Sequence, residues 1–311
     1  MITRSTHIVD GLLALRSARA AAAISGAIGR EILTLPLLAG RLAGGLTTPA
    51  GTDVLYPAIQ AALAAGGFQD IAGIAGLPGM PRAVLQSLDS VWRADLDLAS
   101  LAHEAERFHD LALIEARIRE SLPATHLLPR DLRDAAVKRA DYSRTLLGTV
   151  TLAGIIEVDP VWRPLLNAIT RVTELSWDMP DGVEQAWFGG AIRKSAAPGP
   201  THISAEASAD PKSEVVEALR WARRLLSTGQ VKAQDIAIAA TSTQDWDDHF
   251  LAYARSAALP VHFSHGVPAL STADGQTCAA LADILGNGLS QERIWRLLRR
   301  LPSRPFASSL P

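Results

Sequence analysis

Four arginines and a tryptophan crowd one short segment, QERIWRLLRR at 291–300. On a helix, Arg293, Arg296 and Arg300 fall on one face, where guanidinium groups can meet phosphate oxygens. A second basic group, Arg220, Arg223 and Arg224, sits in EALRWARRLL at 217–226. Each group has a plainer reading as the solvated side of an amphipathic helix, in the first case around an Ile294/Leu297/Leu298 stripe. The residues offered for nucleic-acid contact are Arg293, Arg296, Arg300, Arg220 and Arg224.

Carboxylates are the second source of chemistry. Glu157 and Asp159 follow the apolar, β-branched run TVTLAGII at 149–156. They would lie beyond the carboxyl end of a strand, where open α/β sheets place ligands, and could bind Mg²⁺ there. Asp245, Asp247 and Asp248 open a helical segment, where acidic side chains stabilise unpaired N–H groups. His262 and His265 are three apart and would face opposite sides of a strand. With no HExxH pattern and one cysteine, no metal site is expected. Cys278, in an apolar helical stretch, reads as a core thiol.

Nucleotide hydrolysis needs a glycine loop ending in lysine and a hydroxyl residue. Its N–H groups cradle phosphate, the lysine neutralises charge and the hydroxyl holds Mg²⁺. The nearest segment, SGAIGREI at 25–32, follows Gly29 with Arg30 and Glu31 and cannot do this. No GxSxG turn provides a serine nucleophile. The sequence therefore yields no catalytic residue and no cofactor for this chain.

The 311 residues suffice for two domains, and a net charge of −2 excludes a uniformly basic binder. The single cysteine suits a reducing, cytoplasmic setting, and no run is apolar enough to span a membrane. From 10 to about 145 the spacing predicts helices at 10–23, 36–44, 52–65, 81–93, 97–108, 110–121 and 130–141, with a strand at Glu31–Leu35. Strands follow at Thr149–Ile156 and Thr173–Trp177 around a helix at Pro160–Val172, the spacing of a parallel crossover. Residues 194–202 (KSAAPGPTH) read as a linker. Beyond it, strands near 202–207, 235–240 and 259–263 alternate with helices at 211–228 and 244–257. Two more helices, 272–285 and 290–300, follow.

Residues 208–265, from SADPKSEVVEALRWARRLL through GQVKAQDIAIAATS to ALPVHFSH, resemble the second RecA-like domain of UvrD-type superfamily 1 helicases. The resemblance is greatest to AddB-like subunits of helicase–nucleases. Residues 31–45 resemble the strand–helix segment of AddB-like proteins, 149–177 the late strand, helix and strand of their first RecA-like domain, and 268–301 the start of the helical insertion. Two departures stand out: the phosphate loop is missing, and Thr241 replaces the arginine usual after the DIAV-like strand.

The resemblance implies an α/β fold with two RecA-like parallel-sheet lobes and a large helical portion in the first. Residues 1–199 would form a degenerate first lobe. Residues 200–311 would form the second, with the insertion beginning at about 270–311. It implies a non-hydrolysing DNA-binding region of a double-strand-break repair enzyme. The Mg²⁺-dependent PD-(D/E)XK nuclease is expected downstream of Pro311, since LPSRPFASSLP reads as a cut inside a domain. The implied partners are DNA, single-stranded or at ends, and an AddA-like helicase subunit. Two other readings remain open: a docking scaffold that never touches DNA, and a hydrolase using Glu157, Asp159 or the 245–248 cluster.

Overall fold

A computed structural model describes residues 4–180, 185–195, 202–229 and 231–301. The chain divides into two compact units, Met1–Pro200 and Thr201–Pro311. Residues 196–201 of the predicted linker lie outside the described residues, as do 302–311.

The first unit begins with β1 (Ser5–Ile8), α1 (Gly11–Ile24), β2 (Arg30–Leu33), α2 (Leu35–Leu42) and a short β3 (Thr48–Pro49). A helical stretch follows: α3 (Thr52–Ala64), α4 (Met80–Arg93), α5 (Leu98–Leu101) and α6 (Glu106–Ser121). Next come β4 (His126–Leu127), α7 (Pro129–Val137), α8 (Ser143–Leu147), β5 (Thr149–Ala153), α9 (Arg163–Thr170), β6 (Leu175–Pro180) and β7 (Ala191–Ser195). The unit is α/β: a parallel five-stranded sheet in the order β2-β1-β5-β6-β7, and a parallel β3–β4 pair.

Register explains which side of the large sheet is greasy. Side-by-side residues of a parallel sheet point to the same face. One face carries Ile8, Leu33, Val150, Leu152, Leu175, Trp177 and Met179, packed with Leu38 and Leu42 of α2, Leu132 of α7 and Leu165, Leu166 and Ile169 of α9. Trp177 is fully buried; its indole N–H donates to the Ile155 carbonyl at 2.7 Å, and its ring meets Phe188 edge-on. On the other face α1 packs Leu15 against Val9 and Ile32. That same face of β1, β5, β6 and β7 carries His7, Thr151, Ser176, Asp178 and Arg193. Parallel strands are usually apolar on both faces; these alternate, so the sheet is one-sided.

Helices α3 to α6 bury a core of their own, with Leu55, Ile59, Val84, Leu88, Trp92, Ile114 and Ile118. Asp110 of α6 is wholly buried there and accepts the backbone N–H groups of Gln69, Asp70 and Ile71 at 2.9, 2.9 and 3.0 Å. Arg133 of α7 meets Asp95, just past α4, at 2.6 Å, and Arg130 meets the same carboxylate at 3.1 Å.

The second unit contains α10 (Pro211–Ser227), α11 (Thr243–Ser256), α12 (Ala273–Asn287) and α13 (Gln291–Leu298). Asp210 caps α10, accepting the Ser213 N–H at 2.6 Å, and Val215 and Leu219 pack on Phe250 and Ala254 of α11. Hydrogen bonds from the backbone N–H, first, and the side chain of Ser213 hold the Asp210 carboxyl below its usual range. Strands were expected near 202–207, 235–240 and 259–263. Among the described residues no strand occurs in this unit, a correction to the sequence reading. Residues 236–240 carry no helix or turn, but a strand also needs a neighbour about 4.8 Å away to share its ladder. No helix among the described residues is long and apolar enough to cross a membrane.

Candidate functional site

The carboxyl edge of the sheet, between β1 and β5, is the natural place to look first. The chain leaves β1 to one side to make β2, then returns to β1's other side to make β5. Such a reversal opens a crevice beyond the strand ends, where α/β sheets bind ligands. Phosphate-binding sheets use the first turn, fitting a glycine loop between strand and helix. Here only Val9 and Asp10 separate β1 from α1, and Asp10 is the residue preceding the helix. Two residues cannot encircle a phosphate. A carboxylate at the helix start also takes the position where an anion would be favoured.

After β5 the chain runs through Gly154 at a φ of +67°, then Ile155 and Ile156, to the two carboxylates singled out by sequence. Asp159 does not stand open: Arg93 at the end of α4 grips both its oxygens, each at 3.1 Å. The hydrogen bond and charge of Asp159 raise the Arg93 pKa, with Asp89 and Asp10 adding to the effect. Asp159 also starts the turn Pro160–Trp162, its carbonyl accepting the Trp162 N–H at 3.0 Å. It thus ties the helical stretch to the sheet edge. Glu157 is exposed. Among the described residues no group of three or more His, Cys, Asp or Glu could hold a metal ion.

The arginines divide by what they touch. Arg293 meets Asp283 at 3.3 Å and donates to the carbonyls of Asn287 and Gly288 at the end of α12. Arg296 meets Asp283 at 3.4 Å and Glu292 at 2.8 Å. Asn287, donating at 2.8 Å, and these two arginines hold the Asp283 carboxyl below its usual range. Arg300 reaches the neutral side-chain oxygen of Gln276. Arg220 pairs with Glu217, and Arg224 lies exposed in the last turn of α10. The five arginines therefore do not form one surface: Arg293 and Arg296 serve the α12–α13 turn, whereas Arg300 keeps its charge uncompensated by any described carboxylate.

Sequence reasoning passed over Trp295 and Arg299 as contact residues. Trp295 is 55% exposed, and the Arg299 guanidinium lies 5.9 Å from its ring centre. Of the Ile294/Leu297/Leu298 stripe expected to be buried, Leu297 is half-buried but Ile294 and Leu298 are 39% and 54% exposed, and Cys278 is exposed rather than in a core. Helical periodicity identifies an apolar stripe but not whether another element covers it. The polar row on the sheet was missed too: the Thr151 and Ser176 hydroxyls lie 3.3 Å apart, and His7 is half-buried. Burial first, then Arg30, lowers the His7 pKa, while Asp178 pulls it up. Strict alternation in SWDM and TVTL was the available signal. His265 meets Asp247 at 2.8 Å.

Neither the known protein-family models nor the curated proteins compared with it match this chain.

Proposed function

We propose that this chain is a helicase-like region that binds DNA without hydrolysing nucleotide, within an AddB-like helicase–nuclease of double-strand-break repair. Its first unit would be a degenerate RecA-like lobe, and its partners an AddA-like helicase subunit and single-stranded or end DNA. Supporting the reading are the resemblance of residues 208–265 and the five-stranded parallel sheet. The observation that carries the non-hydrolysing part is the β1–α1 turn. It keeps the strand-turn-helix frame of a nucleotide site, but has only two residues, one of them an aspartate, where the phosphate loop would be. Arg300, beside Trp295 and Arg299, provides uncompensated positive charge for DNA.

Two measurements on the protein test this. Anisotropy of labelled single-stranded DNA should report binding that weakens steeply as salt rises, because each phosphate contact releases counterions. Incubation with MgATP and DNA should release phosphate no faster than a protein-free control. Failure to bind at low salt removes the DNA reading, and sustained ATP turnover removes the non-hydrolysing one. Co-purification with an ATP-dependent partner in the absence of DNA binding would favour a docking scaffold.

A further inference from the structure

The end of the second unit presents a side chain that its own packing does not explain. A tryptophan left 55% exposed forgoes most of the burial that usually stabilises a ring of its size. Trp295 lines an open hollow of about 870 Å³ on α13, together with Glu292, Arg296, Arg299 and Arg300. Glu292 is taken up by Arg296 at 2.8 Å, so the one carboxylate among the described residues of the hollow is already paired. Arg299 and Arg300 make no ion pair with a carboxylate among the described residues. The surface thus combines an exposed indole with two positive charges, Arg299 and Arg300, that no described carboxylate compensates, Arg299 lying 5.9 Å from the ring centre.

We infer that Trp295, beside Arg299 and Arg300, is a stacking platform for an unpaired base of single-stranded nucleic acid. The inference rests on the DNA-binding reading above and specifies its ligand and contact. Complementarity decides the occupant. The positive charges meet a phosphate backbone, and the indole face meets a base only where that base is unstacked. Duplex DNA keeps its base faces inside the helix and would use the arginines alone. The neighbouring exposed Leu298 makes a second copy of this chain the rival occupant.

The test uses the full chain and fluorescein-labelled oligothymidine, with Trp295→Ala, Trp295→Phe and Arg300→Ala variants. These side chains are exposed, and unchanged circular dichroism melts would establish that each variant folds. Trp295→Ala should weaken binding about 5- to 150-fold with the salt slope unchanged, and Trp295→Phe should retain most of the affinity. Arg300→Ala should lower the slope of log affinity on log salt by about 0.7. Unlabelled duplex should compete less well than single strand. Equal binding by wild type and Trp295→Ala would overturn the platform while leaving DNA binding intact. Loss of a dimer in sedimentation, with DNA affinity unaltered, would assign the surface to a second copy instead. Absence of binding by the wild type at low salt would overturn both readings.

Discussion

Replacing Asp110 should unfasten the helical stretch of the first unit. Its carboxylate is fully buried, and it accepts three successive backbone N–H groups, those of Gln69, Asp70 and Ile71. Hydrogen bonds to a charged acceptor contribute about 1.5–3 kcal/mol each, giving a ceiling of ~4.5–9 kcal/mol for three. The Gln69 and Asp70 bonds are only partly buried, so water can replace the lost acceptor there. Asp110→Ala should then cost about 3–5 kcal/mol, most of it from the orphaned Ile71 N–H and the void beside it. Asp110→Asn keeps one oxygen, which can still serve Asp70 and Ile71, but turns an NH₂ toward Gln69; about 1.5–3 kcal/mol should be lost. Hydrogen exchange reads this locally. At ~1.4 kcal/mol per tenfold, amides 69–71 should exchange at least ~100-fold faster in Asp110→Ala than in wild type, with Asp110→Asn between them. A change under about threefold in the alanine variant, or asparagine costing more than alanine, would refute this account of the carboxylate.

Two further substitutions probe the sheet. Gly148 has a φ of +69°, and a Cβ there would lie 1.9 Å from the Arg4 carbonyl oxygen; Gly148→Ala should cost about 2 kcal/mol or more. An unchanged melting temperature would contradict that close approach. His7 concerns pH. Its folded pKa lies below the ordinary 6.5, so the unfolded chain binds the proton more readily. The stability it contributes is complete above 6.5 and falls as pH drops from 6.5 toward the folded value. His7→Gln should flatten that part of the stability–pH curve measured by urea denaturation. A curve of unaltered shape would show that His7 is not its source.

The helices were readable because their signals are local. Pro81 and Pro129 in first turns, the Asp210 cap and the stripe Val215, Leu219 and Ala222 each act within a few residues, and these three helices begin within one residue of their expected starts. The segment 97–121 shows the limit: it divides into α5 and α6 rather than changing helix at 109. β1 and β7 went unread. The four residues of β1, STHI, hardly establish a period, and β7 (AIRKS) is half polar because one face of the sheet is polar. The expectation for 202–263 failed in the opposite sense. Segments such as DIAIAA have strand-like composition, yet a ladder depends on a partner that composition does not specify. At the candidate sites, position was readable and pairing was not. Asp159 does lie beyond β5, but its partner, Arg93, comes 66 residues earlier.

The middle of the sheet has a consequence for how the first unit folds. β1 pairs with β5, and the Thr6 hydroxyl reaches the Leu147 carbonyl across 141 residues of chain. Closing so long a loop early is entropically costly and slows folding. The intervening α3–α6 stretch, however, assembles its core from its own helices. Once it condenses, the disordered chain between β1 and β5 is much shorter and the closure correspondingly cheaper. The order of events that follows is helical stretch first and central strand pair last. The β1–β2 pair and the β5–β6–β7 ladder, each closed over short stretches of chain, are then joined to one another last.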